Sequence, residues 1–405
     1  MSGAGSAGGA GGVSGAGSAG GGSGVSGAGG AGGVSGAGSA GGAGGVSGPT
    51  GRALAAVMAR VAATAAEVGP RFPLYADPAG GRWTTTGRGS WTGGFWAGLL
   101  WLRARYTGAE HDRRAAAACT ARLAPWTAAD TATRGLILWY GTAAAGDDAA
   151  AAALRARAAR ACLSAWDPEL GILPWGDALG GPRLLARVDA VPGTVPLLAG
   201  AGPGGAAAAA AHLHRHLDLC LDGTGEPWFR PALIHDPATG GWRPCEDPPP
   251  GWSRGRAWLL LAVADAMLQP AVGAGDFARL SEAAGLLIAR GGVLTGRPVP
   301  PADTACPDGP PDTSAAAITA VALLKLSRTP GPRAEQYALR AAEVLDHLSR
   351  EHLTPEGGTR PPGMLLDGCY DAAKGLAVRH ELVWGDFFLA LALTALHGHV
   401  DITRI

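Results

Sequence analysis

From Arg52 onward the chain repeats one pattern, apolar residues at helical spacing interrupted by short stretches rich in Gly and Pro. The pattern predicts about twelve helices in six pairs, with few strand signals and one candidate hairpin in 228–242. Six helical pairs can stack as a solenoid or close into a ring. No fixed-period repeat is visible, so the pattern favours an all-α ring. The predicted helices cover 52–67, 92–106, 110–124, 131–145, 148–165, 190–200, 204–221, 253–268, 274–290, 312–327, 333–350 and 380–397.

The predicted connections alternate between long and short. The long ones carry Trp and Gly and cover 70–91, 166–188, 222–252, 291–311 and 353–379. Such alternation is typical of a barrel with one elaborated face. Because binding and catalytic groups are usually carried on loops above a rigid scaffold, we expect the functional site on that face.

Residues 1–50 differ from the rest and consist almost wholly of Gly, Ala, Ser and Val in near-repeats. A segment without charge, aromatic residues or apolar periodicity cannot bury enough surface to offset its ordering entropy. We therefore predict a disordered tail at 1–50 and one domain at 51–405. Glycine interrupts every stretch that could form a signal peptide, and no run is apolar enough to span a membrane. We expect a cytoplasmic protein with no membrane partner.

Charge and cysteine usage exclude several classes of protein. The chain has 33 basic and 33 acidic residues and no basic stripe, so nucleic acid is not an expected partner. Its six cysteines are scattered singly, without C-x-x-C pairs or Cys/His ligand spacing. This indicates free thiols in a reducing compartment. We expect no metal site and no cofactor.

Tryptophan is unusually frequent, with 13 Trp against 6 Phe and 5 Tyr. An indole offers a flat apolar face and one N–H donor, which suits stacking on a sugar ring and hydrogen bonding to a hydroxyl. Any one Trp is more simply explained as core packing, but as a set they indicate a carbohydrate cleft. Those near predicted loop–helix junctions are Trp83, Trp91, Trp96, Trp175, Trp252, Trp258 and Trp384.

Asp189 is the carboxylate inside the largely apolar run 184–199, LLARVDAVPGTVPLLA. A carboxyl in apolar surroundings resists ionisation and can donate and reaccept a proton near neutral pH. Asp189 is therefore a candidate catalytic acid/base. The alternative is a structural role, because Asp is also a favourable helix N-cap.

Four segments in order resemble one family. They are 91–102, WTGGFWAGLLWL, with YTG at 106–108; Asp189 with VPLL at 195–198, similar to D-N-x-x-N-L-P-L-L; WSRGRAW at 252–258, similar to W-x-R-G-Q-A-W; and DTSAAAI at 312–318 with VWGDFF at 383–388. Over roughly residues 52–399 they resemble the unsaturated glucuronyl hydrolases, glycoside hydrolase family 88.

The resemblance implies an (α/α)6 barrel that takes part in polysaccharide degradation. The implied activity is release of a 4,5-unsaturated uronic acid from an oligosaccharide made by a polysaccharide lyase. One Asp would protonate the enol ether and then activate water, and Asp189 matches that residue. Arg254 and Trp258 match residues of the sugar site, with Trp91 and Trp175 as stacking walls. The implied ligand is an oligosaccharide or a uronic-acid glycoside.

The chain also departs from the family pattern. We interpret TRGL at 133–136 as the counterpart of the family's H-D-x-G-F segment, with Arg134 in place of a second site Asp. A guanidinium cannot act as a general base, but it could bind a substrate carboxylate. The family's D-G-S-x-x-H and H-Q-G segments are replaced at 222–226 and 243–250. An alternative is therefore a catalytically impaired or re-purposed barrel that binds a sugar-like ligand or a partner protein.

Overall fold

Helices follow one another through most of the chain in this computed structural model, which describes residues 48–273 and 275–405. They are α1 (Pro49–Val68), α2 (Gly93–Thr107), α3 (Glu110–Ala121), α4 (Ala149–Ala165), α5 (Thr194–Ala199), α6 (Gly205–Cys220), α7 (Ser253–Leu268), α8 (Pro270–Gly273), α9 (Phe277–Arg290), α10 (Thr313–Leu326), α11 (Ala334–His347) and α12 (Val383–Leu396). In the described ranges no helix is both long and apolar enough to cross a membrane. The predicted tail lies outside the described residues, except for Gly48, which precedes α1, and Pro49 and Thr50, which belong to it.

The helices form two concentric layers. The inner layer is buried on nearly all faces and consists of α2, the segment 133–145, α5, α7, α10 and α12. The outer layer consists of α1, α3, α4, α6, α9 and α11, most of which bury one face. Each inner element contacts the next, and α12 returns to α2. The predicted all-α (α/α)6 barrel is thus confirmed.

The ring is closed by elements far apart in sequence. α12 packs against α1, and the Arg60 guanidinium binds both carboxylate oxygens of Glu381, 321 residues away, at 2.9 and 2.6 Å. Both side chains are buried. The beginning and the end of the domain are therefore joined by apolar packing and by a buried ion pair.

Two small sheets decorate the barrel. β1 (Phe72–Ala76), β2 (Trp83–Thr86), β6 (Gly368–Asp371) and β7 (Leu376–Leu382) form one in the order β2-β1-β7-β6. β3 (Leu185–Arg187), β4 (Ala232–Asp236) and β5 (Gly241–Pro244) form the other. The β4–β5 pair confirms the predicted hairpin. The remaining strands lie in the predicted long loops and were not foreseen.

The predicted helix at 131–145 is wrong in form. A single π-helical turn, Gly135–Trp139, and a 3₁₀ turn, Ala143–Ala145, replace it. Backbones approach closely here: a Cβ on Gly135 would lie 2.2 Å from the Thr194 nitrogen, and one on Gly141 would lie 2.6 Å from the Ile137 oxygen. Glycine permits that approach and weakens a regular helix.

Candidate active site

One cavity of about 300 Å³ opens among the long connections and the first turns of inner helices. Its lining includes the predicted site residues Asp189, Trp91, Trp175, Arg254 and Trp258, but not Arg134. The other lining residues are Thr133, Leu136, Leu179, Arg187, Asp247, Pro248, Pro249, Trp252, Ala302, Asp303, Cys369, Tyr370, Asp371, Ala372, Ala373 and Lys374. The cavity therefore brings together residues that are up to 283 positions apart (374 minus 91).

Asp189 is held at the cavity by the end of β3. The Val188 N–H donates to the Pro231 carbonyl at 3.0 Å, and a 3₁₀ turn follows over Val188–Ala190. Val188 and Ala190 are buried in the core, whereas Asp189 between them is half-buried and lines the cavity. The apolar neighbours thus anchor a turn that presents one carboxylate.

The premise of an isolated carboxyl in apolar surroundings is wrong. The Arg187 Nε–H donates to both oxygens of Asp189, at 2.8 and 3.1 Å. Arg187 precedes Asp189 by two residues, and its place at the end of a strand turns both side chains toward the same cavity. The N-cap alternative is also not met, because α5 begins at Thr194 after Gly193, and no side chain caps it.

The register of the motif around Asp189 needs a correction as well. The step from Asp189 to Pro196 is one residue longer than in D-N-x-x-N-L-P-L-L. Counting back from Pro196 would place Ala190 at the acid position. Ala190 is 1% exposed, however, and the carboxylate of this segment that lines the cavity is that of Asp189. Gly193, with φ 70°, lies within the longer connection.

Two indole rings flank the Arg187 guanidinium. Its central carbon lies 5.3 Å from the Trp175 ring centre and 5.5 Å from that of Trp252, within the range of cation–π attraction. The Trp175 indole N–H donates to the Gly180 carbonyl at 2.9 Å, which fixes the ring. Gly176 is required beside it, because a Cβ there would lie 2.1 Å from the Asp130 oxygen. Trp175 and Trp252 therefore restrict the plane in which Arg187 can lie.

Trp91 and Trp258 bound the cavity in different ways. The half-buried Trp91 donates its indole N–H to the Tyr370 hydroxyl at 3.1 Å and packs on Trp384, with ring centres 4.9 Å apart. Trp258 is 1% exposed and stacks on Phe95 with an interplanar angle of 17°. Trp91 thus offers surface to a ligand, whereas Trp258 belongs mainly to the core.

Arg254 lines the cavity, but its hydrogen-bonding groups are engaged by the fold. Its Nη1 binds the Asp312 carboxylate and the Cys369 carbonyl, both at 2.5 Å, and its Nη2 binds the Tyr370 carbonyl at 2.7 Å. The Arg254 and Asp312 side chains are 4% and 0% exposed. We therefore correct the sugar-binding expectation for Arg254: its guanidinium ties α7 to α10 and β6.

Arg134 does not reach the cavity. Its side chain is 5% exposed, and its Nη2 donates to the Ala129 carbonyl at 2.5 Å. Counting D-x-G-F back from Gly135 and Leu136 places Thr133, not Arg134, at the position of the second Asp. Thr133 lines the cavity and exchanges a hydrogen bond with Thr131 at 2.9 Å. The motif therefore aligns Thr133, rather than Arg134, with that position, and Arg134 does not line the cavity.

A charged bridge crosses the cavity edge. The Lys374 ammonium group binds the carboxylates of Asp371 and Asp247, at 2.7 and 2.9 Å. Desolvation acts to raise the pKa of Asp371, but hydrogen bonds from Lys374 outweigh it and leave that pKa lowered. Lys374 lies in the β6–β7 turn, whereas Asp247 lies in the loop before α7. The bridge links two of the loops that form the cavity.

Sequence reasoning missed Arg187, Thr133, Tyr370 and Lys374. The closeness of Arg187 and Asp189 in sequence was the available signal, because opposite charges two residues apart can lie near enough to attract each other. Among the described residues, no group of three or more His, Cys, Asp or Glu side chains could hold a metal ion. The expectation of no metal and no cofactor stays a prediction.

The chain was compared with known protein families, sequences and structures. No family model matches the chain. The unsaturated glucuronyl hydrolase of Bacillus sp. strain GL1 is 26% identical over 380 residues, which span 82% of this chain and 92% of the relative. The crystal structure of that hydrolase from Bacillus sp. GL1 matches with a TM-score of 0.75 at 23% identity, covering 86% of this chain and 97% of that one.

Two further solved structures share the fold. Unsaturated glucuronyl hydrolase from Streptococcus agalactiae matches with a TM-score of 0.73 at 18% identity, covering 88% of this chain and 93% of that one. A hydrolase structure that carries dGlcA-Glc-Rha-Glc matches with a TM-score of 0.74 at 24% identity, covering 85% and 96%. The homology supports a glycoside hydrolase function in general. In sequence over 82% of its length, and in fold, this chain is similar to the unsaturated glucuronyl hydrolases.

Proposed function

We propose that the protein removes a 4,5-unsaturated uronic acid from the end of an oligosaccharide, with Asp189 as the acid/base. The observation that carries this proposal is the Asp189 carboxylate in a cavity lined by Trp91, Trp175 and Trp252. A cavity of about 300 Å³ is at the lower end of small-ligand sites. The relative named for this activity supports the same substrate class.

The proposed chemistry needs one carboxyl group. Asp189 in its acid form donates a proton to C4 of the enol ether, and water adds its oxygen to C5 while its proton passes to the Asp189 carboxylate. The C5 hemiketal then opens: the bond from C5 to the ring oxygen breaks, which leaves a ketone at C5 and a hemiacetal at C1. Collapse of the hemiacetal releases the rest of the oligosaccharide as an alcohol. One water is consumed, and Asp189 returns to its acid form.

The aromatic residues have a separate role in this proposal. Trp91 and Trp175 are half-buried, so each presents part of an indole face to the cavity. Such faces bind the C–H face of a sugar, and they exclude water from its other side. The Tyr370 hydroxyl, already bound to the Trp91 N–H, is a further polar group beside a bound sugar.

Asp189→Asn tests the proposal. The amide keeps the shape of the side chain but cannot transfer a proton, so turnover should fall by roughly two to four orders of magnitude. Turnover is measured on a panel of lyase-generated disaccharides as the loss of absorbance of the double bond. Asp177→Asn, an exposed carboxyl outside the cavity, is the matched control. Wild-type turnover in the Asp189→Asn protein would overturn the assignment.

A barrel that binds an acidic sugar without turning it over is the second candidate. It is favoured by Thr133 at the position of the second Asp and by the Arg187–Asp189 ion pair. In that case the wild-type protein would be inert toward unsaturated glycosides between about pH 4 and pH 8, while a saturated uronate would still bind.

A further inference from the structure

Arg187 lines the cavity, and part of its guanidinium group stays available to a ligand. Within the part of the chain that the structure describes, its hydrogen bonds use Nε alone, and both go to Asp189. Its side chain is 28% exposed, so the Nη edge reaches the cavity. Of the described residues, two other cations line the cavity, and both are already paired: Arg254 with Asp312, and Lys374 with Asp247 and Asp371.

The orientation of Arg187 is set before any ligand arrives. Indole rings of Trp175 and Trp252 lie near its central carbon, and the Asp189 carboxylate holds its Nε edge. A guanidinium fixed in this way presents its two Nη groups as a planar pair of donors. That fork matches the two oxygens of a carboxylate, with which Arg forms paired, charge-assisted hydrogen bonds.

We propose that Arg187 is the residue that selects a carboxylated sugar, by binding the uronate carboxylate through its Nη edge while its Nε holds Asp189 in position. The inference rests on the proposed function, because it assigns the carboxylate of that substrate class to a residue. It also gives the cavity its specificity, since a neutral hexose has no anion to pair with this guanidinium. Arg187 is thus a binding and positioning residue, and Asp189 transfers the proton.

Binding of two matched sugars tests the proposal without requiring turnover. A methyl glucuronoside and a methyl glucoside differ by a carboxylate in place of a hydroxymethyl group, and calorimetry gives the ratio of their affinities. We expect the wild-type protein to prefer the glucuronoside, and Arg187→Gln to reduce this preference by roughly tenfold to a hundredfold. Arg187→Lys keeps the charge but not the fork, so it should retain part of the preference.

Two variants serve as comparisons. Arg183→Gln removes a guanidinium that is 59% exposed and paired with Asp130 outside the cavity, and it should leave the preference unchanged. Lys374→Gln tests the rival cation: loss of the preference in that variant but not in Arg187→Gln would overturn the proposal. Melting temperatures of all variants separate loss of binding from loss of folding.

The outcomes distinguish this inference from the proposed function. A wild-type protein that prefers the glucuronoside but turns over no unsaturated disaccharide retains the Arg187 assignment and loses the hydrolase proposal. A protein that turns over the disaccharide and keeps its preference after Arg187→Gln retains the hydrolase and loses the anchor. Equal affinity of the wild type for both sugars would also overturn the anchor.

Discussion

At the scale of single residues, Arg254 lines the cavity, but its guanidinium forms hydrogen bonds to other parts of the fold. It joins the first turn of α7 to Asp312, which caps α10 by accepting from the Ser314 N–H at 3.1 Å. The same guanidinium binds the Cys369 and Tyr370 carbonyls of β6. Breaking a buried ion pair by removing one partner is strongly destabilising, because the other charge stays buried.

We therefore expect Arg254→Ala to lower the free energy of unfolding by about 3–5 kcal/mol. Arg183→Ala removes an ion pair with Asp130 whose partners are 59% and 37% exposed, and it should change the free energy by less than about 1 kcal/mol. Urea unfolding followed by circular dichroism measures both. An Arg254→Ala protein as stable as the Arg183→Ala control, but unable to bind sugars, would return Arg254 to the ligand site.

Individual site residues were predictable from sequence only in part. Motif matching brought Trp91 and Asp189 to the cavity, because each lies within a recognisable segment, whereas Trp175 was singled out as one of the Trp residues near predicted loop–helix junctions. It misassigned Arg134 by one position, since a motif with few fixed letters does not define its own register. It also missed Lys374, whose place in the cavity depends on the folding of the β6–β7 hairpin rather than on any local pattern.

At the scale of elements, the contact between α1 and α12 holds a second buried acid. Asp386 lies in the first turn of α12, is 6% exposed and shares a hydrogen bond with Glu381. Burial raises the pKa of Asp386 well above its usual range, and the charge of Glu381 raises it further. Burial also raises the pKa of Glu381, to about 7, although Arg60, which binds both oxygens of Glu381, opposes the rise there. Asp386 is therefore the carboxyl of the pair that keeps its proton to higher pH.

This arrangement predicts the sign of a pH effect. The pKa of Asp386 is higher in the folded chain than in the unfolded chain, where it is about 4. Such a carboxyl contributes its full stabilisation below the pKa of the unfolded chain, and the contribution is lost as the pH rises toward the pKa of the folded chain. The free energy of unfolding should therefore fall between pH 5 and pH 9, by at most roughly 1.4 kcal/mol per pH unit for this group.

Asp386→Asn should flatten that fall, because an amide keeps a hydrogen bond to Glu381 and cannot ionise. Urea unfolding of wild type and variant at pH 5, 7 and 9 measures it, with Asp346→Asn, an exposed carboxyl on α11, as the control. Equal pH dependence in wild type and Asp386→Asn would show that Asp386 is ionised throughout.

Helices were predicted well where apolar periodicity alone determines their bounds. Helix α7 was predicted with its observed bounds, since 253–268 has uninterrupted helical periodicity and is followed by Gln269-Pro270. The segment 131–145 was not, because the close approach of Gly135 to the backbone at Gly193 and Thr194 overrides its local pattern. The short strands of the loops were missed for the same reason: their partners are supplied by distant parts of the chain.

At the scale of the whole molecule, the Gly-rich tract should be dispensable for folding. It has no charged or aromatic residue with which to form an ion pair or a core contact. Removing residues 2–47 should therefore leave the melting temperature and any turnover unchanged, and it keeps Gly48 before α1. A fall of several degrees on removal, measured by calorimetry, would show that the tract contributes to the folded state.

The closure of the ring also determines when during translation the domain can complete its fold. α1 leaves the ribosome first among the described helices, but α12, the neighbour that covers part of its apolar face, is translated more than 300 residues later. The nascent chain must therefore carry unpaired apolar surface through most of its translation, a condition in which chaperones bind and chains aggregate. Ribosome-bound chains stalled before Val383 should be sensitive to protease across α1, and chains released after α12 should be resistant.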